Sequence, residues 1–295
     1  MFATLVFSGC NDMDNEPSGT YGEDEFWTSV DKAQYLLNMI YNQHYSATMM
    51  WSDETLSDNL MRTRDYNDER VIRNGNAEAT TPIFASTWKN LYGGIKTANM
   101  FLANIDRLKA DPKQINGMKA QARYLRAWMY LRLTEFYGNV PYFTHELSVS
   151  ESKRVTRTPH VQIMRALHTE LDSIMPHLPR RDDLTDDQRG QITCGAAVAL
   201  QARAYLYDGD WAKAERYCNR LISQQEKYGH YSLFPNYAAL FTQEAEYNEE
   251  IIADCEYAPK VRVWDDMFNM APLSVGARLN EIAPTQSLVD AFLML

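Results

Sequence analysis

The sequence predicts a mostly α-helical fold: an array of helical hairpins, long irregular loops between them, and a minor strand late in the chain. Three observations carry this. Apolar residues recur at spacings of three and four through much of the 295 residues, which is the period of one helix face. The strongest such stretch, Lys119 to Tyr142, ends at Gly138 and Pro141, residue types that stop helices. Glu250 to Tyr257 alternates, with Ile251, Ala253, Cys255 and Tyr257 on one side, as a half-buried strand does.

The helices follow in order. Thr28 or Ser29 can cap a helix from Val30 to about Tyr45, with Ala33, Leu36, Leu37, Ile40 and Tyr41 on one face. Residues 46–82 lack clean periodicity and read as a long irregular excursion, the kind of loop that carries function. Phe84 to Leu108 is helical through Trp88, Leu91, Tyr92, Ile95, Ala98, Leu102 and Ile105. Asp111-Pro112 reads as the cap and first residue of the next helix. There Ala122, Leu125, Trp128, Met129, Leu133 and Phe136 form the apolar stripe, and Arg123, Arg126, Arg132 and Glu135 lie mostly off it. Residues 144–158 connect to a helix opening at Thr158-Pro159, and residues 180–190 form a charged loop. Two helices then flank Asp208-Gly209-Asp210. Their Ala202, Tyr205, Ala214 and Cys218 are similar to the tetratricopeptide (TPR) pattern, in which small residues let two helices approach closely. The hairpins are therefore expected to pack in a TPR-like way.

Composition excludes several classes. The net charge of −10 and pI of about 5.1 argue against nucleic acid, whose backbone demands a basic surface. The basic clusters at 153–157 and 180–181 are short, flanked by acids, and read as solvated loops. No C-x-x-C and no zinc-like Cys/His spacing occurs. Cys194, Cys218 and Cys255 sit among apolar neighbours and are expected to be small buried residues. No run of about 18 apolar residues is present, so no helix is expected to span a membrane.

Several segments together carry a family resemblance. Phe26-Trp27-Thr28-Ser29 precedes the first helix; Trp88, Tyr92 and Ala98-Asn99 mark the second; Leu125 to Phe143 runs through Tyr137, Gly138 and Pro141. Later come the Asp208-Gly209-Asp210 hairpin, Ser232 to Thr242, and Pro284 to Phe292. In this order they resemble the SusD/RagB family, the outer-membrane nutrient-binding lipoproteins of Bacteroidetes. The N-terminus fits: a short apolar run from Phe2 to Phe7 leads to Ser8-Gly9-Cys10 and then Asn11, Asp12, Asp14 and Glu16. This looks like the end of a lipoprotein signal peptide, although Phe7 stands where Leu is usual and the run is short and lacks a basic start. The resemblance implies a signal remnant at 1–9, lipid attachment at Cys10, an acidic tether over 10–25, a TPR-like helical domain over 26–240, and the beginning of the family's C-terminal region over 241–295. It also implies that a member would continue well past Leu295.

No dinucleotide, P-loop, zincin or nucleophile-elbow motif occurs. Asp53-Glu54 and Asp182-Asp183 are adjacent carboxylates, whereas glycosidase chemistry needs a pair across a cleft. Sugar binding asks for aromatic faces and hydrogen-bonding side chains. Trp51, Asp53, Asp58, Arg62 and Tyr66 supply these in the irregular excursion, and Tyr257, Trp264 and Asp265 after the expected strand. By resemblance the chain is a cell-surface, lipid-anchored protein that captures oligosaccharide for a SusC-like TonB-dependent transporter, with no cofactor and no covalent chemistry. A TPR-like protein scaffold and a helical glycosidase are the alternatives. The scaffold predicts loop aromatics that are buried or dispersed; glycan capture predicts Trp51 or Trp264 exposed in a shallow concavity.

Overall fold

The computed structural model describes residues 26–64, 67–264 and 267–294. Its frame is a succession of long helices, each packed on the next long one. The helices are α1 (Val30–Tyr41), α2 (Ala47–Glu54), α3 (Asp68–Arg73), α4 (Pro82–Asn104), α5 (Pro112–Tyr137), α6 (Val149–Ser152), α7 (His160–Ile174), α8 (Cys194–Tyr207), α9 (Trp211–Ser223), α10 (Gln225–Tyr228), α11 (Met267–Met270) and α12 (Gln286–Leu293). Helix α1 packs on α4, α4 on α5, α5 on α7, α7 on α8 and α8 on α9. A two-stranded antiparallel ribbon joins β1 (Leu60–Arg62) to β2 (Ile282–Pro284), with Arg62 opposite Ile282.

The caps explain where the long helices begin. Ser29 accepts from the Lys32 N–H at 3.3 Å, and Asp111 accepts from the Lys113 N–H. Helix α5 ends at Gly138, whose φ of 65° suits a residue without a Cβ. Fourteen α5 residues between Met118 and Thr134 are buried, so the middle of this helix is enclosed nearly all round and forms the centre of the core. Phe136 is the exception to the expected stripe: it is exposed, with the Arg132 guanidinium 4.5 Å from its ring centre.

Arg126 departs in the other direction. It is buried, and it donates to Asn99 Oδ1 (2.7 Å), to the Thr144 carbonyl (3.1 Å) and to Glu170 Oε1 (2.7 Å). One guanidinium thereby ties α4, α5 and α7 together, which is how a buried charge becomes tolerable.

The α8–α9 hairpin has TPR-like packing. Ala202 and Ala214 are buried at the crossing, and Tyr205 lies between His168, parallel at 3.6 Å, and Tyr217 at 5.4 Å. Cys218 is exposed, because Tyr217, one residue earlier, takes the inward position. Cys255 is only half-buried, and Cys194 alone of the three is fully enclosed.

Two further expectations are corrected. Residues 250–257 form no strand; only an isolated bridge between Ala258 and Arg262 follows them. Alternation without a neighbouring strand to complete the hydrogen bonds leaves an irregular strap, with Ile252 against the core. The late strand is β2 instead. The excursion at 46–82 is also more regular than it reads: it contains α2, β1 and α3. Among the described residues no helix is long and apolar enough to cross a membrane.

Candidate ligand-binding face

The excursion and the strap meet. Ser46 caps α2 by accepting from the Met49 N–H at 3.1 Å. The Ala47 N–H, which has no partner inside the helix, donates to the Tyr257 hydroxyl at 2.9 Å. This bond holds the strap against the start of α2. One turn on, Trp51 reaches Trp264: the two indoles are parallel within 5°, with centroids 6.2 Å apart. Both are half-buried, and Trp264 Nε1 is a sealed donor without a partner among the described residues. Arg262 lies 4.8 Å from the Tyr257 ring centre. Three of the expected residues, from stretches some 200 positions apart, are thus assembled around α2.

The other expected residues fare differently. Asp53 is drawn into an ion pair with Arg132 of α5, and Arg132 also meets Glu135 at 3.5 Å. Burial pushes both the Asp53 and the Glu135 carboxyls up, and the Arg132 charge opposes that. Arg62, 12% exposed, bridges Glu69 at 3.3 Å and Glu281 at 3.5 Å. Its role is structural. Asp58 is exposed, and its carbonyl accepts from the Thr285 hydroxyl. Cys10, Tyr66 and Asp265 lie outside the described residues.

Behind the strap is a cavity of about 570 Å³. Its walls include Tyr45, Tyr124, Trp128, Leu200 and Arg203, closed by Ile252 to Cys255 and Tyr257. A smaller one of about 210 Å³ adjoins it through Tyr45, Trp128, Leu200 and Arg203, and holds Asp53, Arg132 and Glu135. Tyr45 meets Trp128 edge-on at 6.1 Å. The sequence gives little notice of this chamber. Trp128 belongs to the helical stripe that ordinarily means core, and Arg203 sits in an alanine-rich helix. Arg203 is the one signal available, a lone charge among small residues.

Comparison with known proteins completes the picture. A family described as starch-binding, associating with the outer membrane (SusD-like), matches residues 17–206. The chain belongs to the SusD-like family. A SusD-like protein, P25, of Formosa agariphila is 30% identical over 180 residues, covering 60% of this chain and 33% of that protein. The crystal structure of a SusD-like carbohydrate-binding protein from Bacteroides fragilis superposes with a TM-score of 0.78 at 24% identity, over 88% of this chain and 52% of the other. Surface glycan-binding protein A from Bacteroides thetaiotaomicron, in complex with laminarihexaose, gives a TM-score of 0.65 at 22% identity, over 78% of this chain and 50% of the other. At such identities the structural likeness speaks for the fold. The chain spans a third to a half of the length of the curated relatives it matches, 33% for P25 and 48% for a second SusD-like protein, P2, of the same organism.

Proposed function

We propose that this chain binds oligosaccharide on the face made by α2 and the strap. The observation that carries the reading is the parallel pair Trp51 and Trp264. Sugars present flat C–H faces, and aromatic rings offer matching apolar surface with a polar rim. Groups that can hydrogen-bond hydroxyls stand on the strap beside the pair: the Tyr257 hydroxyl and Arg262. The SusD-like membership and the named glycan complex of a structural neighbour support the same reading. In the cell the protein would sit at the outer membrane, attached through a lipid on Cys10 with its binding face outward. From there it would pass the captured nutrient to a SusC-like TonB-dependent transporter.

Binding without bond cleavage is the favoured mode. Asp53 and Glu135 share one pocket, but both are engaged by the same Arg132 guanidinium. A glycosidase keeps one carboxyl free to donate a proton and another free to receive one. The two indoles are half-buried rather than exposed as glycan capture predicts, but they are brought together from distant stretches rather than dispersed, which fits the scaffold alternative less well.

The test is a titration of tryptophan fluorescence with oligosaccharides, laminarihexaose among them. A saturable shift, lost in Trp51→Ala or Trp264→Ala with helical circular dichroism unchanged, is expected. Affinity that survives both substitutions would place the glycan elsewhere.

A further inference from the structure

The cavity behind the strap carries a guanidinium that no side chain hydrogen-bonds, although Glu135 lies within electrostatic reach of it. Arg203 lines both the large and the small cavity where they join. Among the described residues it makes no hydrogen bond and no ion pair. Its neighbours Asp53 and Glu135 are already engaged by Arg132. Asp254 also lines the large cavity, and it lines two further spaces along the strap. Tyr45, Tyr124 and Trp128 supply its aromatic walls. His44 lines the same space, and its Nε2 has no partner. The volume is that of an ordinary small-molecule site.

A guanidinium presents N–H donors in a rigid planar fork, matched by a carboxylate in a bidentate pair. The chamber reaches the indole pair through α2, since Ala47, Met50 and Tyr257 belong to its wall. A glycan lying on Trp51 and Trp264 therefore has an adjoining compartment with aromatic sides and a guanidinium whose N–H donors are unused. We propose that this compartment takes a uronic acid unit, its carboxylate paired with Arg203 and its hydroxyls directed to Asp254. This rests on the reading of the indole pair as a glycan platform, and narrows that reading to acidic oligosaccharides. The net charge of −10 does not oppose it: at physiological salt the screening length is about 8 Å, so the local guanidinium governs the last contact.

The test compares tri-uronates, built on galacturonate, glucuronate and mannuronate, with their methyl esters by isothermal titration calorimetry. Esterification removes the charge and keeps the sugar. At least one free acid should bind at least tenfold tighter than its ester. Arg203→Gln should bring that acid down to the level of the ester, with thermal unfolding little changed because the side chain is exposed and makes no hydrogen bond. Arg203→Lys, which keeps the charge but loses the fork, should fall between. Trp51→Ala should weaken acid and ester alike. Equal binding of every acid and its ester, no saturable binding of any acid, or an acid affinity untouched by Arg203→Gln would each overturn the proposal. The two readings fail separately. Loss of acid preference alone leaves the indole platform standing; acid binding that ignores Trp51→Ala and Trp264→Ala but responds to Arg203→Gln removes the platform and keeps the compartment.

Discussion

His44 packs edge-on against Trp128, with ring centroids 4.4 Å apart, and lies 6.0 Å from Tyr124. Its Nε2 is closed off from water. Desolvation lowers its pKa to about 3, so the folded protein holds the neutral ring. The unfolded chain takes up a proton near the ordinary value of about 6.5. The sign follows: stability is full above about pH 6.5 and declines as pH falls towards 3, because only the unfolded state gains the proton. The decline is at most about 1.4 kcal/mol per pH unit from this one group. Urea midpoints at pH 7.0 and pH 5.5 should show it, since most carboxylates stay ionised in that interval. His44→Gln should flatten the difference. An unchanged slope in that variant would mean that His44 is hydrated in the folded state. The same residue shows what a sequence conceals. His44 is an unremarkable position between two helices until α5 and the cavity are placed around it.

The α8 helix shows how an element is fitted to an irregular neighbour. Thr193 caps it, accepting from the Ala196 N–H at 3.1 Å. Gly195 follows in its first turn, and a Cβ there would fall 2.7 Å from Cζ of Tyr231. The glycine thus gives Tyr231 its seat against the helix, beneath Arg181, whose guanidinium lies 5.7 Å from the ring centre. Gly195→Ala should favour the helix intrinsically but displace the ring, for a net loss of about 1–3 kcal/mol, the usual cost of overpacking. Thermal or urea unfolding measures it. The control is Tyr231→Leu: in that background Gly195→Ala should cost much less, and an equal cost would assign the loss to the helix itself. Legibility at this scale followed burial. Helices α1, α4, α5, α7, α8 and α9 each bury several residues at helical spacing or against close-packed alanines, and were readable. Helix α2 buries none of its eight residues, so it leaves no stripe to read. Strands of three residues are too short to display a period of two. Ile251 to Tyr257 displayed that period and lacked a partner strand, which no local pattern can report. Trp51 and Trp264 were readable as sugar-facing types; that they meet depends on the Ala47–Tyr257 bond, and so on the tertiary structure.

The whole molecule has a helical body and a late segment that returns to it. The return is made at the β1–β2 ribbon, and Arg62 is its centre. Its side chain, 12% exposed, bridges Glu69 from α3 and Glu281 just before β2. Around it the Thr63 N–H donates to the Glu281 carbonyl at 2.9 Å, the Thr63 hydroxyl to the Asn280 carbonyl at 2.8 Å, and the Thr285 N–H to the Asn59 carbonyl at 2.8 Å. Beyond the ribbon, α12 buries none of its residues, and Phe292, Leu293 and Met294 are exposed. The late segment is therefore held by a short ribbon and the Arg62–Glu281 ion pair more than by apolar burial. Such a segment opens locally at a free energy well below that of global unfolding. Arg62→Ala removes the cation and leaves two carboxylates in one enclosed place, which is costlier than the lost pairs alone. Glu69 keeps only its bond from the Ser52 hydroxyl. Hydrogen exchange should then rise more than tenfold across residues 282–293, while amides of α4, α5, α7 and α8 keep their protection. Uniform deprotection of the body would show that the ribbon and the helices unfold as one unit. Exchange unchanged in both would show that the ribbon's backbone bonds suffice without Arg62. Because Trp264 reaches α2 from the strap rather than from the ribbon, the variant should still bind oligosaccharide, which separates the tether of the late segment from the platform that meets the sugar.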